Sequence, residues 1–222
     1  VKSRFRSLAF ASTFLLAGCD SFNNSVWGQY AELMHQSFSA SFRTVSITRA
    51  QAAAIPYASL GYRVAEGPEQ LLVLATDSNG EQLWTSARHV VLMTQAGRVL
   101  RTQGLGHDLG ATTAASGRDV PAPAMALTHP VTYTRLLDVT DMGIYAAPLT
   151  CRMSGPRPET TRILGSSIAT MRVDEFCQAP SLDWSFTDSF WIEAKSGQVW
   201  RSLQHIHPKL GELHIEIFRP PG

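Results

Sequence analysis

The sequence predicts an all-β protein: an antiparallel meander of about ten to twelve strands, curled or closed into a barrel-like or folded-over sheet, with a short amino-terminal helix. Three observations lead there. From Tyr57 onward the apolar residues stop recurring at about 3.6 positions and begin to alternate at about two. The alternating runs are short and separated by turn chemistry, above all Asn79-Gly80, the favoured corner of a tight hairpin. The regular exchange of strand and long helix that a parallel sheet requires is absent.

Taken in order, residues 26–38 place Trp27, Tyr30, Leu33, Met34 and Phe38 on one helical face, with Asn24 or Ser25 as cap. This helix is expected to cover one end of the sheet. Residues 44–47 read as a short strand, and Thr48 caps a helical turn through the alanines that Pro56 ends near Ile55. Strands follow at 58–65, 70–76 and 81–85, then at 88–94 and 98–103 across Gln95-Ala96-Gly97. Residues 104–127, rich in Gly, Ala and Pro, read as a surface loop with room for a short helix. Further strands are expected at 130–138, 143–150, 160–165 and 168–176, with 151–159 a proline-bearing turn. The last three, 183–194, 198–207 and 212–218, are joined by Lys195-Ser196-Gly197 and by a four-residue turn from Pro208 to Gly211. Runs this closely spaced pair with their neighbours in sequence. A sheet of that length must hide its edges.

The amino terminus has a separate logic. Lys2, Arg4 and Arg6 precede an apolar run from Leu8 to Ala17, which ends at Ala17-Gly18-Cys19. Basic, apolar and small residues in that order make an export signal, too short for a spanning helix. Small residues directly before a cysteine resemble the lipobox of bacterial lipoproteins. The resemblance implies cleavage before Cys19 and acylation of that cysteine by a diacylglycerol and a further fatty acid. The expected organisation is a signal peptide at 1–18, a lipidated tether at 19–25 and one β-rich periplasmic domain at 26–222. All 18 acidic residues follow Cys19, whereas three of the 19 basic residues precede it, so the processed chain is slightly acidic. Nothing in that balance attracts nucleic acid. The membrane is met through the lipid.

Two cysteines remain, Cys151 and Cys177. In an oxidising compartment an even pair favours one disulfide; two buried, unpaired thiols are the competing reading.

Chemistry is harder to find. There is no G-x-S-x-G nucleophile elbow, and no catalytic residue or cofactor is expected. His89, His107 and His129 lie in separate segments; Gly106-His107-Asp108 offers a base beside a carboxylate, a pair rarely placed to act together. With a four-residue final turn, His207 would face Glu212 and His205 would face His214 on one side of the hairpin. These four are weak candidates for a metal and a better match for the wet face of a sheet. Asp183, Asp188 and Glu193 are carboxylates on or near late strands, and glycoside hydrolysis needs two of them about 5–9 Å apart. Trp184, Trp191 and Trp200 offer flat rings for a glycan or a protein partner, though such rings more often fill a core.

Three pieces together resemble one family: the lipobox at Cys19, the block from Ala54 to Leu60 (AIPYASL), and Trp191-Ile192-Glu193 followed by Gly197, Val199-Trp200 and Arg201. They are similar to the YjbF- or GfcB-like lipoproteins encoded with group 4 capsule and related exopolysaccharide secretion operons. The resemblance covers nearly the whole chain from Cys19 to Phe218. It implies an all-β periplasmic body working beside an outer-membrane β-barrel and small secreted partners, in polysaccharide production or export, with no established catalytic residues. The expectation is a non-enzymatic secretion component; a polysaccharide-modifying or hydrolysing enzyme is the alternative. Asp20, directly after the acylated cysteine, resembles the enterobacterial signal that retains lipoproteins in the inner membrane, whereas the family points to the outer one.

Overall fold

A computed structural model describes residues 46–117 and 119–222. The expected helix at 26–38, the expected acylated Cys19 and the first half of the expected strand at 44–47 lie outside the described residues. Ser46 and Ile47 form no strand. The first element among the described residues is α1 (Arg49–Ala53), closed by a capping box: the Thr48 hydroxyl accepts from the Gln51 backbone amide, and the Gln51 side chain accepts from that of Thr48.

Thirteen strands follow: β1 (Ser59–Val64), β2 (Gln70–Ser78), β3 (Glu81–Thr85), β4 (Val91–Gln95), β5 (Arg98–Gln103), β6 (Ala111–Ala114), β7 (Val131–Val139), β8 (Ile144–Met153), β9 (Arg157–Ile163), β10 (Ser166–Ala179), β11 (Trp184–Ile192), β12 (Val199–Gln204) and β13 (Leu213–Arg219). All pair antiparallel in one sheet, in the order β5-β4-β3-β2-β1-β13-β12-β11-β10-β8-β7-β6, with β9 beside β10. The edge strands β5 and β6 approach each other where the Thr102 amide donates to the Leu109 carbonyl at 3.0 Å. The sheet is thereby a nearly closed barrel, and its long edges are hidden.

Three hairpins turn on two residues with positive φ: Asn79-Gly80 (54° and 81°), Ala96-Gly97 (48° and 83°) and Leu164-Gly165 (49° and 79°). Their flanking pairs are Ser78 with Glu81, Gln95 with Arg98, and Ile163 with Ser166. This twist matches that of the strands. Elsewhere the boundaries moved. The segment 104–127 holds β6 and a 3₁₀ turn at Pro123–Leu127. The proline turn shrinks to residues 154–156, because β8 runs on through Met153 and β9 begins at Arg157.

Side chains fill the barrel. Leu60, Leu72, Trp84, Leu92, Leu149 and Leu213 form its main core, all fully buried. A second cluster of Met153, Val173, Phe190 and Ile192 packs with Ala126 of the 3₁₀ turn, which plugs one end.

Strand β10 is long enough to serve two partners along one edge. Its first half pairs with β9 and its second half with β8, while its other edge pairs with β11. The β9–β10 arm reaches the outer wall: β9 touches β13, and the Trp191 indole donates to the Glu159 carboxylate at 2.9 Å. Arg49 clasps the arm's tip, donating to the Leu164 carbonyl and the Ser166 hydroxyl.

Candidate functional site

Three polar constellations stand out, and the one at the centre of the barrel is the most buried. Alternation on β10 sends Val173, Glu175 and Cys177 inward, and on β7 it sends Tyr133, Arg135 and Leu137 inward. Arg98 enters from β5 and holds both oxygens of Glu175 at 2.8 and 2.9 Å. The Tyr133 hydroxyl donates to the same carboxylate. Arg135 lies 3.9 Å from Glu175 and 3.5 Å from Asp188 of β11, and Asp188 also accepts the backbone amide of His205 at 2.7 Å and faces its ring nitrogen at 3.2 Å. Phe190 and Phe186 lie under the two guanidiniums.

Burial opposes every charge here, and the neighbours decide the outcome. For Glu175 the cost of burial is outweighed by Arg98 and then Arg135, so its carboxyl is held below the ordinary range. For Asp188 burial wins over His205 and Arg135 and pushes the carboxyl up. The hydrogen bond to Asp188 raises His205 against its own burial. Two cations and two carboxylates thus nearly neutralise one another in a sealed interior. Cys151 and Cys177 stand opposite each other across β8 and β10, with sulfurs 2.07 Å apart, and Arg135 is 3.7 Å from the nearer one.

The second constellation ties three loops at one barrel end. Asp141 receives the His107 ring at 2.9 Å on one oxygen and the buried His207 ring at 2.8 Å on the other, and the two rings stack with centroids 4.9 Å apart. These bonds, from His107 and then His207, pull the Asp141 carboxyl down to about 2. The three ligand-type atoms lie within 4.8 Å of one another, as a metal would need. The Lys209 amide, however, donates to His207 Nδ1 at 2.9 Å. That leaves the ring proton on Nε2, the atom facing Asp141, so Nε2 has no lone pair to offer a metal. Sequence reasoning missed this trio, whose members lie in three separate connections. Asp108 does not orient His107 as the adjacent pair suggested; its carboxylate collects Thr102, Gly104 and Leu105 and shapes its own loop.

The expected grouping of His205, His207, Glu212 and His214 does not form. The register pairs Gln204 with Leu213 and Leu203 with His214, and residues 205–212 form the connection. The ladder stops because Gln204 turns inward to Val99 and Gly97, and because Asp188 takes the amide of His205. His214 instead bonds Glu212 at 2.8 Å and Arg63 at 2.9 Å on the outside. Asp183 and Glu193 flank opposite ends of the nine-residue β11, roughly 30 Å apart, and Asp188 is sealed inside. These carboxylates do not converge.

The tryptophans also separate. Trp184 packs on Phe186 along the inward face. Trp200 lines a recess with Gln82, Thr94 and Ile215. Trp191, on the outer face but only 4% exposed, forms the third constellation: it is sandwiched between Arg172 and Arg201, whose guanidinium carbons lie 4.9 and 5.1 Å from its ring. Arg172 meets Asp174 and Glu159, and Arg201 meets Glu216.

Among the described residues the site's elements belong to one nearly closed antiparallel barrel, and that architecture is shared with known lipoproteins. The family model for "Group 4 capsule polysaccharide lipoprotein gfcB, YjbF" matches residues 20–218, and the chain belongs to that family. Among curated relatives it is 26% identical over 206 residues to the uncharacterised lipoprotein GfcB of Escherichia coli K12, covering 92% of this chain and 94% of that one. It is 26% identical over 154 residues to the uncharacterised lipoprotein YjbF of the same organism, covering 68% and 70%. The crystal structure of the hypothetical lipoprotein YmcC from Escherichia coli superposes with a TM-score of 0.73 at 23% identity, covering 89% of this chain and 97% of that chain, which shows a common fold. Among the described residues no helix is long and apolar enough to cross a membrane.

Proposed function

We propose that this protein is a non-enzymatic, periplasm-facing lipoprotein component of a capsule or exopolysaccharide secretion or assembly system. The observation that carries the reading is family membership across residues 20–218. The barrel's construction supports it. Its charged groups neutralise one another in a sealed interior, and the late carboxylates that hydrolysis would need are dispersed. Such a body offers surfaces, and its partners act on its outside: an outer-membrane β-barrel, periplasmic secretion proteins and the polysaccharide itself.

Acylated Cys19 is the anchor. Each buried lipid CH₂ contributes about 0.8 kcal/mol, and several chains hold far more firmly than one. The anchored body meets partners that share its membrane or reach across to it. Deleting the gene should abolish or sharply reduce surface polysaccharide, and Cys19→Ser should fail to restore it. Unchanged polysaccharide in the deletion strain, or new reducing ends released at a catalytic rate when the protein is incubated with its cognate polysaccharide, would overturn the reading.

A further inference from the structure

Strand β10 carries its chemistry inside out. Glu175 points into the barrel and is wholly buried, whereas the next residue, Phe176, stands on the outer wall with 46% of its surface exposed. Burial alone would favour the reverse. The register places Phe176 between Thr187 of β11 and Arg152 of β8, and Arg152 beside Thr132 of β7. The next outward row holds Gln178 and Thr150. All six residues are exposed. None is a carboxylate, and the outward acid nearest along β10, Asp174, is already held by Arg157, Arg172 and Ser189. Arg152 has no ion pair or side-chain hydrogen bond among the described residues. These six residues therefore present one aromatic ring, one cation uncommitted among the described residues, and a field of hydroxyl and amide groups. The neighbouring wall differs: there the arm's Glu159 engages Trp191, and each cation beside that ring has its own carboxylate.

We propose that the outer wall of β7, β8, β10 and β11 binds an acidic polysaccharide strand, an assignment that deepens the secretion reading and rests on it. The apolar C–H face of a pyranose ring stacks on Phe176. A uronate carboxylate on the same or an adjoining sugar takes the planar fork of Arg152, which matches it in two hydrogen bonds. Thr132, Thr150, Thr187 and Gln178 donate to and accept from sugar hydroxyls. Two strand spacings, roughly 10 Å, separate Thr187 from Arg152, room for a short run of sugars. Arg152, which has no carboxylate partner among the described residues, selects an acidic polymer over a neutral one. Contact with a single such patch is weak, and a polymer that meets many anchored copies is held by avidity.

Affinity electrophoresis of the full chain in detergent tests this, in gels containing polygalacturonate or neutral dextran. The protein should be retarded by polygalacturonate, less so as salt is raised, and not by dextran. Arg152→Ala and Phe176→Ala should each weaken retardation about tenfold, the loss of one charge-assisted contact or one stacked ring. Both side chains are exposed, so both variants should melt within about 2 °C of the parent. Equal retardation of parent and variants, or none of the parent, overturns the proposal. A dimer that Phe176→Ala converts to monomer without altering retardation overturns it in favour of self-association. The two readings fail separately. An export defect on gene deletion with unaltered retardation in both variants removes the glycan wall and keeps the secretion role. Retardation lost in both variants with normal export in the deletion strain does the reverse.

Discussion

Arg98 and Glu175, 77 positions apart in the chain, meet in a two-pronged ion pair at the centre of the barrel, both fully buried. Breaking one side of such a pair leaves an uncompensated charge in a dry interior and costs about 3–5 kcal/mol. Glu175→Gln should therefore lower the melting temperature by about 10 °C. Replacing both partners with Met should recover most of that loss. The acid dependence has a definite sign: a carboxyl held below its ordinary range contributes stability above about pH 4.5, and that contribution disappears as pH falls through the depressed folded value. Melting curves from pH 6 down to pH 3 should fall more steeply for the parent than for Glu175→Gln. Parallel curves would show that the pair does not govern acid stability.

The Asp141 latch predicts a second acid effect at the barrel end. With its carboxyl pulled down from 3.8 to about 2 by His107 and His207, it supports the folded state above about pH 4 and ceases to as pH falls towards 2. Asp141→Asn should flatten the melting profile across that window. Zinc should leave the parent's melting temperature and tryptophan fluorescence unchanged, since the Lys209 amide fixes the proton on the wrong nitrogen of His207 for a ligand. A stoichiometric response at micromolar zinc would refute that tautomer.

Digestion of the non-reduced protein, taken from the periplasm, should yield one linked peptide pair containing Cys151 and Cys177. By chain entropy, closing a loop of this sequence separation stabilises by about 3–4 kcal/mol. The Cys151→Ala/Cys177→Ala double variant should thus melt roughly 10 °C lower, unless reduction of the parent has no effect, in which case the thiols were free.

Much of the fold was legible because its turns are chemical. Asn79-Gly80 and the Thr48 cap declare themselves by residue type. Leu164-Gly165 does not, since a leucine at positive φ is held by the surrounding arm and by Arg49 on its carbonyl. The interior charges were partly readable too. Along β10, Val173, Glu175, Cys177 and Ala179 share one parity, and Phe176 falls on the other with Asp174 and Gln178. That parity places a glutamate inside and a phenylalanine outside. Arg98 gives no such signal, because the register of β5 shifts past Val99 and the consecutive residues Arg98 and Val99 are both buried. Nor does any spacing foretell the latch, whose residues 107, 141 and 207 are gathered by closure of the barrel rather than by any one element.

Sorting is a separate matter from folding. If Asp20 directs the lipidated chain, density-gradient fractionation should find the parent with inner membranes and Asp20→Ser with outer ones. Finding both in the outer-membrane fraction would remove Asp20 as the determinant and place the body beside an export barrel. Cys19→Ser should leave the membrane fraction altogether.

The pairing of β1 with β13 sets a clock on assembly. Ser59 lies opposite Arg219, 160 positions later. Strands β1 to β5 can zip together from neighbouring hairpins as they appear, and so can most of those from β7 onward. Each half then waits for its partner across the β1–β13 seam. If the chain is threaded amino end first through a translocation pore, β1 stays open along that seam until β13 has emerged. Throughout that interval the half-made wall of Leu60, Tyr62 and Leu72 stands unshielded, the period in which a holding chaperone would matter most.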